Sequence, residues 1–340
     1  MVTGKSVLGS KTGAGLSIVI TSYDPRRREY VERAIHSLCA QKSQSFNLIL
    51  VIEKDRELYE YFRKYLKTTG LANSDVVFND SLAGISASRN LGIHCAQSDV
   101  VAVIDDDVLA PTGWVSGVLE LFSNKDIAAA TGPVIPLWED KSLEWLRPEF
   151  HWLVGCSTWS DNTVLSETRN VWGANMAFRR AGLLATGGFS TQVGGMLGKR
   201  LHGEENELSI RLKRSNLGRI VFSPAMRIYH YVPRRRFNVR AIIRSSFDMG
   251  RTRILYENDL SALSGELSTV SRIVKDIFRS VLTFAREPRR TFSTFSLSMI
   301  VLFFAGLGYG YGIASKLHVM PAPLRGTVVA RETSSTARVL

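Results

Sequence analysis

The stretch Val100-Val-Ala-Val-Ile-Asp-Asp-Asp107 consists of five apolar residues followed directly by three aspartates. A short apolar run without polar alternation is typical of a strand that is buried on both faces of a parallel sheet. Three adjacent carboxylates repel one another, and burial increases the cost of keeping them charged. We therefore predict a buried parallel strand whose carboxyl end carries an acidic cluster.

Strand-like and helical patterns alternate upstream of this stretch. Strands are predicted over residues 16–21, 46–52 and 75–78, and helices over residues 31–39, 57–66 and 85–96. This alternation predicts an α/β fold with a parallel, doubly wound sheet. Ligands bind beyond the carboxyl ends of the strands in such sheets, so one rim of the sheet is the expected site.

The pattern downstream is mixed up to about residue 233. Strands are predicted over residues 127–135 and 171–178, and a helix over residues 204–214. These elements are expected to complete the sheet, so that residues 16–235 form one domain. Residues 1–15 are predicted to be a flexible N-terminus and residues 316–340 a flexible tail.

The chain is basic, with 43 Lys and Arg against 31 Asp and Glu and a formal net charge of +12. Such a surface favours phosphate-rich partners. Its three cysteines lie far apart, which excludes a disulfide framework and a zinc knuckle. Because Met1–Leu16 lacks the apolar run of a secretory signal peptide, we expect the N-terminal domain to stay in the cytoplasm.

The aspartate cluster is suited to a divalent metal. In an extended segment Asp105 and Asp107 face the same side while Asp106 faces the other, so Asp105 and Asp107 can share one site. Carboxylates combined with substrate phosphates are the usual ligands of Mg²⁺ in proteins, and Mn²⁺ favours the same ligands. The alternative is a solvated acidic turn. A second acidic group, Gly203-Glu-Glu-Asn-Glu-Leu208, begins a predicted helix, where the helix dipole alone favours acidic residues.

Six motifs in order carry a family resemblance. They are Ile18-Val-Ile-Thr-Ser-Tyr23, Gly84-Ile-Ser-Ala-Ser-Arg-Asn-Leu-Gly92, Val103-Ile-Asp-Asp-Asp107, Gly173-Ala-Asn-Met-Ala-Phe-Arg179, Gly187-Gly-Phe189 and Gly203-Glu-Glu205. Together they resemble the family-2 glycosyltransferases, which implies the GT-A fold, a Rossmann-like, mostly parallel sheet flanked by helices. His230-Tyr-Val-Pro233, the arginines after it and the apolar C-terminal region are most similar to archaeal enzymes that extend dolichyl-phosphate-linked sugars.

The resemblance implies a role for each matching residue. Glu205, where the family usually has Asp, would be the catalytic base. The nucleotide sugar would be bound by Thr21, Tyr23, Glu53, Arg89, Asp105 and Asp106, with Glu53 again in place of the family's Asp. The metal, Mg²⁺ or Mn²⁺, would be held by Asp105, Asp107 and His230. The acceptor side would be formed by Gly173, Asn175, Met176 and Glu204.

These roles imply an inverting, metal-dependent transferase, because one base and a metal suffice for a single displacement. The donor would be a nucleotide sugar, with a UDP-sugar favoured, and the acceptor a lipid-linked glycan. Open alternatives are a family-2 enzyme acting on free polyprenyl phosphate or on a cell-surface polysaccharide, and an inactive family member. A nucleic-acid-binding protein is a remote alternative. No nucleic acid is expected as a partner, because the basic surface has no recognised binding motif.

The C-terminal region predicts membrane association. Residues 236–290 read as a basic, amphipathic helical region, with an apolar stripe over residues 270–282. Residues 291–315 contain no charge, and as a helix they are long enough to cross a ~30 Å hydrocarbon core. Arginines before this segment predict that it is anchored in the cell membrane with the catalytic domain on the cytoplasmic side. The alternatives are a helix packed on the catalytic domain for the stripe and a buried hairpin for residues 291–315.

Overall fold

The computed structural model describes residues 15–41, 46–80, 84–157, 164–191, 203–253 and 288–318. The strands are β1 Leu16–Ser22, β2 Phe46–Glu53, β3 Ser74–Asn79, β4 Val100–Ile104, β5 Val108–Leu109, β6 Ile127–Thr131, β7 Val134–Trp138, β8 Ser166–Glu167, β9 Asn175–Arg179, β10 Arg219–Phe222 and β11 Ile228–Val232. The α-helices are α1 Arg28–Cys39, α2 Arg56–Thr68, α3 Ile85–Cys95, α4 Trp114–Leu121, α5 Arg180–Ala185, α6 Glu204–Arg214, α7 Val239–Arg253 and α8 Pro288–His318.

An eight-stranded sheet forms the centre of the molecule, in the order β3-β2-β1-β4-β9-β6-β10-β8. Neighbouring strands from β3 to β4 are parallel, whereas β9 runs antiparallel to both β4 and β6. The predicted α/β fold with a mostly parallel sheet is therefore confirmed. Because β1, β2 and β4 run in the same direction, their carboxyl ends meet at one rim.

Helices cover both faces of this sheet. Alternate residues of β2 point to opposite sides, so Leu48 and Leu50 join the core beneath α1 and α2 while Ile49 and Val51 join the core beneath α3. Gly92 lets α3 approach closely, because a Cβ at this position would collide with the side chain of Val19. Burial on both faces explains why these strands lack polar alternation.

A second, three-stranded sheet has the order β5-β11-β7. The prediction of one strand over residues 127–135 is wrong, since β6 and β7 are separate strands in different sheets. Strand β6 ends just before Gly132, which packs so closely that a Cβ there would lie 2.6 Å from backbone atoms of Met226. The predicted strand over residues 171–178 is shorter than expected and begins at Asn175, after a turn closed by a bridge from Trp172 to Asn175.

Within its described residues, the C-terminal region forms the helices α7 and α8, which pack against each other. Helix α8 begins before and ends after the predicted segment 291–315. Within it, the stretch Phe292–Ser315 is long enough and apolar enough to cross a membrane. The predicted stripe over residues 270–282 lies outside the described residues. The two predicted flexible termini also lie outside them, apart from residue 15 and residues 316–318.

Candidate active site

Two strands meet beside the aspartates that follow β4. Strand β5 begins directly after Asp107 and pairs antiparallel with β11, which sets His230 opposite Val108. The backbone N–H of Tyr231 donates to the carbonyl of Asp107 at 2.9 Å. As a result, one ligand atom each of Asp105, Asp107 and His230 lie within 4.8 Å of one another. The structure thus brings together the three residues that were expected to hold a metal.

Asp107 is buried among positive charges. Its Oδ2 lies 2.7 Å from Arg27 Nη2 and 3.7 Å from Arg236 Nη1, and its Oδ1 lies 3.2 Å from His230 Nε2. Although burial opposes the effect, the charges of His230 and the two arginines lower the pKa of Asp107. Against the same opposition, the charge of Asp107 raises the pKa of His230 to about 10. His230 would release its proton on binding a metal, because only the neutral imidazole offers a lone pair to the ion.

The three side chains fit a divalent metal. Asp107 Oδ1 is buried and has no hydrogen-bond partner within the part of the chain that the structure describes, although it lies within ion-pair distance of His230. Burial raises the pKa of Asp105 despite the opposing charge of Arg89, so an added cation there is favourable. Two carboxylates and an imidazole form a donor set that Mn²⁺ accepts, and the carboxylates also suit Mg²⁺.

Asp106 points away from this cluster. It accepts a hydrogen bond from Ser22 Oγ at 2.6 Å and pairs with Arg27, whose Nε lies 2.9 Å from Oδ1 and 3.0 Å from Oδ2. These contacts join the end of β1 to the end of β4. Asp106 was expected to bind the nucleotide sugar, but its carboxylate is committed to Ser22 and Arg27.

Arg89 on α3 is 2% exposed and bridges the two acidic groups. Its Nη1 donates to Glu204 Oε1 at 2.7 Å, and its Nη2 lies 3.2 Å from both Asp105 Oδ1 and the carbonyl oxygen of Gly173. The guanidinium also lies over the ring of Phe189, 5.4 Å from its centroid. Arg89 thereby fixes the first turn of α6 beside the aspartates.

Glu205 lies in that first turn of α6. A Cβ built at Gly173 would lie 3.8 Å from Glu205 Cδ and 3.9 Å from Arg89 Nη2, which places the Glu205 carboxyl next to the Arg89 bridge. Burial, together with the charge of Glu204, raises the pKa of Glu205 to about 8. A carboxyl group with a pKa near neutral pH is suited to general base catalysis.

The other predicted residues have different surroundings. Tyr23 lies just beyond β1 and is 59% exposed, so a ligand can reach it. Thr21 is the second-last residue of that strand. Glu53 accepts hydrogen bonds from Gly84 N at 3.0 Å and Ser88 Oγ at 2.8 Å, so it stabilises the beginning of α3. Asn175 and Met176 are fully buried, so their side chains do not reach an acceptor.

Sequence reasoning missed Arg27 as a site residue and did not single out Arg236 from its basic run. Arg27 ends a short 3-10 helix, Pro25–Arg27, that follows the first strand, and its position on the predicted rim was the available signal. Arg236 Nη1 lies 3.0 Å from His230 Nε2 and 3.3 Å from the carbonyl of Val154. Val154 and Asp107 are far from Arg236 in sequence, so only the fold brings these residues together.

Comparison with known sequences places these residues in context. Residues 17–185 match the model of "Glycosyl transferase family 2". The chain is 28% identical over 306 residues to the glucosyl-dolichyl phosphate glucuronosyltransferase of Haloferax volcanii, which covers 87% of this chain and 95% of that protein. It is also 26% identical over 233 residues to the chondroitin synthase of Escherichia coli, covering 59% of this chain but 32% of that protein.

A solved structure resembles the fold over most of its length. The mannosyltransferase from Pyrobaculum calidifontis, solved in complex with GDP-Man and Mn²⁺, superposes with a TM-score of 0.59. The alignment covers 90% of this chain and 91% of that protein at 14% sequence identity. At this identity the likeness shows a common fold.

Proposed function

Because the chain belongs to glycosyl transferase family 2 through residues 17–185 and has the GT-A fold, we propose that it transfers a sugar from a nucleotide-sugar donor to a lipid-linked acceptor. The acceptor would be a glycan on dolichyl or polyprenyl phosphate. The observation that carries this proposal is the cluster of Asp105, Asp107 and His230, whose ligand atoms lie within 4.8 Å of one another on the rim beside Glu205.

Asp105, Asp107 and His230 would hold a divalent metal, Mg²⁺ or Mn²⁺. When bound, the metal would neutralise charge on the diphosphate leaving group as a Lewis acid. Arg27 and Arg236 flank Asp107 and present guanidinium groups at the same rim. Guanidinium groups bind phosphate oxygens with directed hydrogen bonds, so these two arginines would help to orient the diphosphate.

Glu205 would take the proton from the acceptor hydroxyl. The Arg89 bridge to Glu204 and Asp105 fixes the turn that carries Glu205, so the base keeps a constant position relative to the aspartates. Among the described carboxylates of this rim, Asp105 and Asp107 would hold the metal, Asp106 pairs with Ser22 and Arg27, and Glu204 pairs with Arg89. Glu205 is therefore our candidate for the base. A single base without a carboxylate nucleophile implies direct displacement, with inversion at the anomeric carbon.

The lipid-linked acceptor is supported by similarity and by charge. The relative that the chain matches over 87% of its length acts, by its name, on glucosyl-dolichyl phosphate. Arg234 and Arg235 are exposed just after β11, beside the site, and offer positive charge for a lipid phosphate. We therefore propose that the protein works at the cell membrane, with the catalytic domain on the cytoplasmic side as the sequence predicts. A UDP-sugar is the favoured donor, with a GDP-sugar as the comparison.

A cell-surface polysaccharide is the second candidate acceptor. It is favoured by the 26% identity to a chondroitin synthase, a protein named for making a polysaccharide, although the chain matches only 32% of that protein. Transfer to free polyprenyl phosphate would use the same donor site. The three acceptors differ in where the nucleophilic oxygen lies, which is on a lipid-linked sugar, on a glycan end, or on the lipid phosphate itself.

A transfer assay with purified full-length chain tests the proposal. UDP-sugars and GDP-Man are each offered with glucosyl-dolichyl phosphate, free dolichyl phosphate or a chondroitin oligosaccharide, in Mn²⁺ or in EDTA. We expect transfer to the lipid-linked sugar only in the presence of metal. Hydrolysis of the donor without transfer, or transfer to another acceptor, would refute the acceptor assignment. If no nucleotide sugar is consumed with any of the three acceptors, the proposed activity is refuted.

A further inference from the structure

Helix α8 has two chemically different faces. Its inward face is buried and consists largely of small residues, namely Thr294, Leu297, Ser298, Val301, Gly308 and Gly312. Its outward face is apolar and carries large side chains that are 41–67% exposed, namely Phe292, Phe295, Met299, Phe303, Leu307, Tyr311 and Ile313. From Phe292 to Tyr311 these residues recur every three or four positions, and Ile313 follows two positions later, so they form one continuous stripe along the helix.

Helix α7 lies directly on α8 around residues 305–311. A Cβ at Gly308 would collide with the carbonyl oxygen of Phe247, and a Cβ at Gly250 would collide with that of Ala305. The two glycines therefore permit the backbones to approach closely. Phe247 also contacts Tyr311, with ring centroids 5.7 Å apart. Since residue numbers rise along α7 as they fall along α8, the helices are antiparallel.

Charged residues of α7 lie beside the C-terminal part of the apolar stripe. A Cβ at Gly308 would lie 3.1 Å from the backbone nitrogen of Arg251. Within the same stretch of α7, Asp248 is buried and lies 3.7 Å from Arg251 and 3.9 Å from Arg244. Any position of α8 in a membrane must also accommodate these charges.

A membrane-crossing α8 would place these charges in hydrocarbon. At about 1.5 Å per residue, Gly308 lies roughly 10 Å inside the end of the apolar segment at Ser315. The hydrocarbon core is about 30 Å thick, so Arg251 and Asp248 would lie within it. Charged side chains at that depth are costly and are normally kept near the interface.

We infer that α8 lies in the plane of the membrane surface, with its outward stripe in the lipid and α7 on its aqueous side, instead of crossing the bilayer. The stripe is too long and too apolar to face water without a partner. Exposed Arg234, Arg235 and Arg240 follow the catalytic domain into α7 and complement the negative charge of anionic lipids. This arrangement concerns where the chain binds, and it holds whether or not Glu205 is the catalytic base.

The arrangement also sets the active site close to the lipid. Arg236, which contacts His230, lies only three residues before the first residue of α7. A helix lying in the surface therefore keeps the metal-binding cluster near the headgroups, where the phosphate of a lipid-linked acceptor is found.

Depth-dependent fluorescence quenching distinguishes the two arrangements. Cys39→Ala and Cys95→Ala are combined with Phe295→Cys, Phe303→Cys or Tyr311→Cys, and each full-length variant is labelled with an environment-sensitive fluorophore. The proteins are bound to vesicles of phosphatidylcholine and phosphatidylglycerol that carry a nitroxide either near the headgroup or deep in the acyl chain. We expect all three positions to be quenched to the same extent and mainly by the shallow nitroxide.

Two results would overturn the inference. Preferential quenching of position 303 by the deep nitroxide, with positions 295 and 311 shallow, would show a crossing helix. Insensitivity of all three labels to both nitroxides would show that protein covers the stripe. Ser215→Cys at the exposed end of α6 is the control and should remain unquenched.

Vesicle binding by unlabelled variants provides a second measurement that does not depend on the labels. Arg235→Glu combined with Arg240→Glu should weaken binding to vesicles containing phosphatidylglycerol on the order of tenfold or more, because each arginine near an anionic surface contributes about 1 kcal/mol. Arg214→Glu on α6 changes an exposed arginine in the same way and should have little effect. Equal binding by the double variant and the wild type would contradict the role of anionic lipid.

Discussion

Glu205 is half-buried in the first turn of α6 beside the Arg89 bridge, where it is expected to act as the base. We predict that Glu205→Gln lowers the transfer rate on the order of a thousandfold, because the amide cannot accept the hydroxyl proton. Nucleotide binding, measured by calorimetry, should persist because the aspartates are unchanged. Transfer at the wild-type rate would rule out Glu205 as the base.

The pH dependence of transfer should report the ionisation of the same residue. Burial and the charge of Glu204 raise the pKa of Glu205 to about 8, so the base is mostly protonated at neutral pH. We expect the rate to rise with pH by up to tenfold per unit below this pKa and to level off above it. A rate that stays constant between about pH 6 and pH 9, at saturating substrate and metal, would contradict this assignment.

Arg89 offsets the charge of Glu204 and Asp105 in the interior. We predict that Arg89→Met lowers the free energy of unfolding by about 3–5 kcal/mol, because removing one partner leaves buried carboxylates without compensation. Denaturant titration checks this value. The double variant Arg89→Met, Glu204→Gln should recover part of the loss, and failure to recover any would indicate that packing over Phe189 dominates.

At the scale of single residues, the sequence was informative about chemistry and less so about geometry. Asp106 lies apart from Asp105 and Asp107, as strand alternation predicts, but the reason differs, because Asp106 and Asp107 form a turn after β4 and not an extended segment. The identity of the counter-ions was not accessible, because Arg27, Arg89 and Arg236 approach the aspartates from three different elements. Asn175 and Met176 belong to a recognisable motif, yet burial in the core removes their side chains from the surface of the site.

At the scale of elements, the contact between α7 and α8 depends on glycine. We predict that Gly308→Ala lowers stability, as measured by the thermal unfolding midpoint, because the added Cβ would collide with the carbonyl of Phe247. Gly310→Ala on the same helix is a matched control, since a Cβ there has no neighbour within 4 Å. This control should be neutral or stabilising, because alanine favours a helix by about 1 kcal/mol over glycine. Equal effects of the two substitutions would refute the close packing.

Most elements of the first hundred residues could be predicted because their signals are local. Helical spacing in α1 to α3 and unbroken apolar runs in β1, β2 and β4 follow directly from burial on both faces of a parallel sheet. The second sheet could not be predicted in the same way. Its strands β5 and β7 follow β4 and β6 after only a few residues, so the sequence gives no sign that the chain passes into another sheet. Between β6 and β7, the passage depends on the close packing of Gly132 against Met226.

At the scale of the whole molecule, the small sheet and the paired helices connect chemistry to location. Strand β11 places His230 beside the aspartates, and Arg236 a few residues later contacts the same cluster. Helix α7 begins at Val239 and packs against α8. Sequence analysis expected a metal site and a membrane-associated extension as separate features. Their direct connection depends on contacts between residues that are distant in sequence, so it became visible only in the folded chain.

The central claim is that Asp105, Asp107 and His230 form a metal site that serves sugar transfer. The most direct measurement is the transfer rate of wild type and Asp107→Asn as a function of Mn²⁺ concentration, with Asp126→Asn, an exposed carboxylate just before β6 and away from the cluster, as the matched control. We predict saturable activation by Mn²⁺ for wild type and the control, and loss of this activation for Asp107→Asn. Full activity of the wild type in EDTA, or an unchanged Mn²⁺ response in Asp107→Asn, would contradict the account.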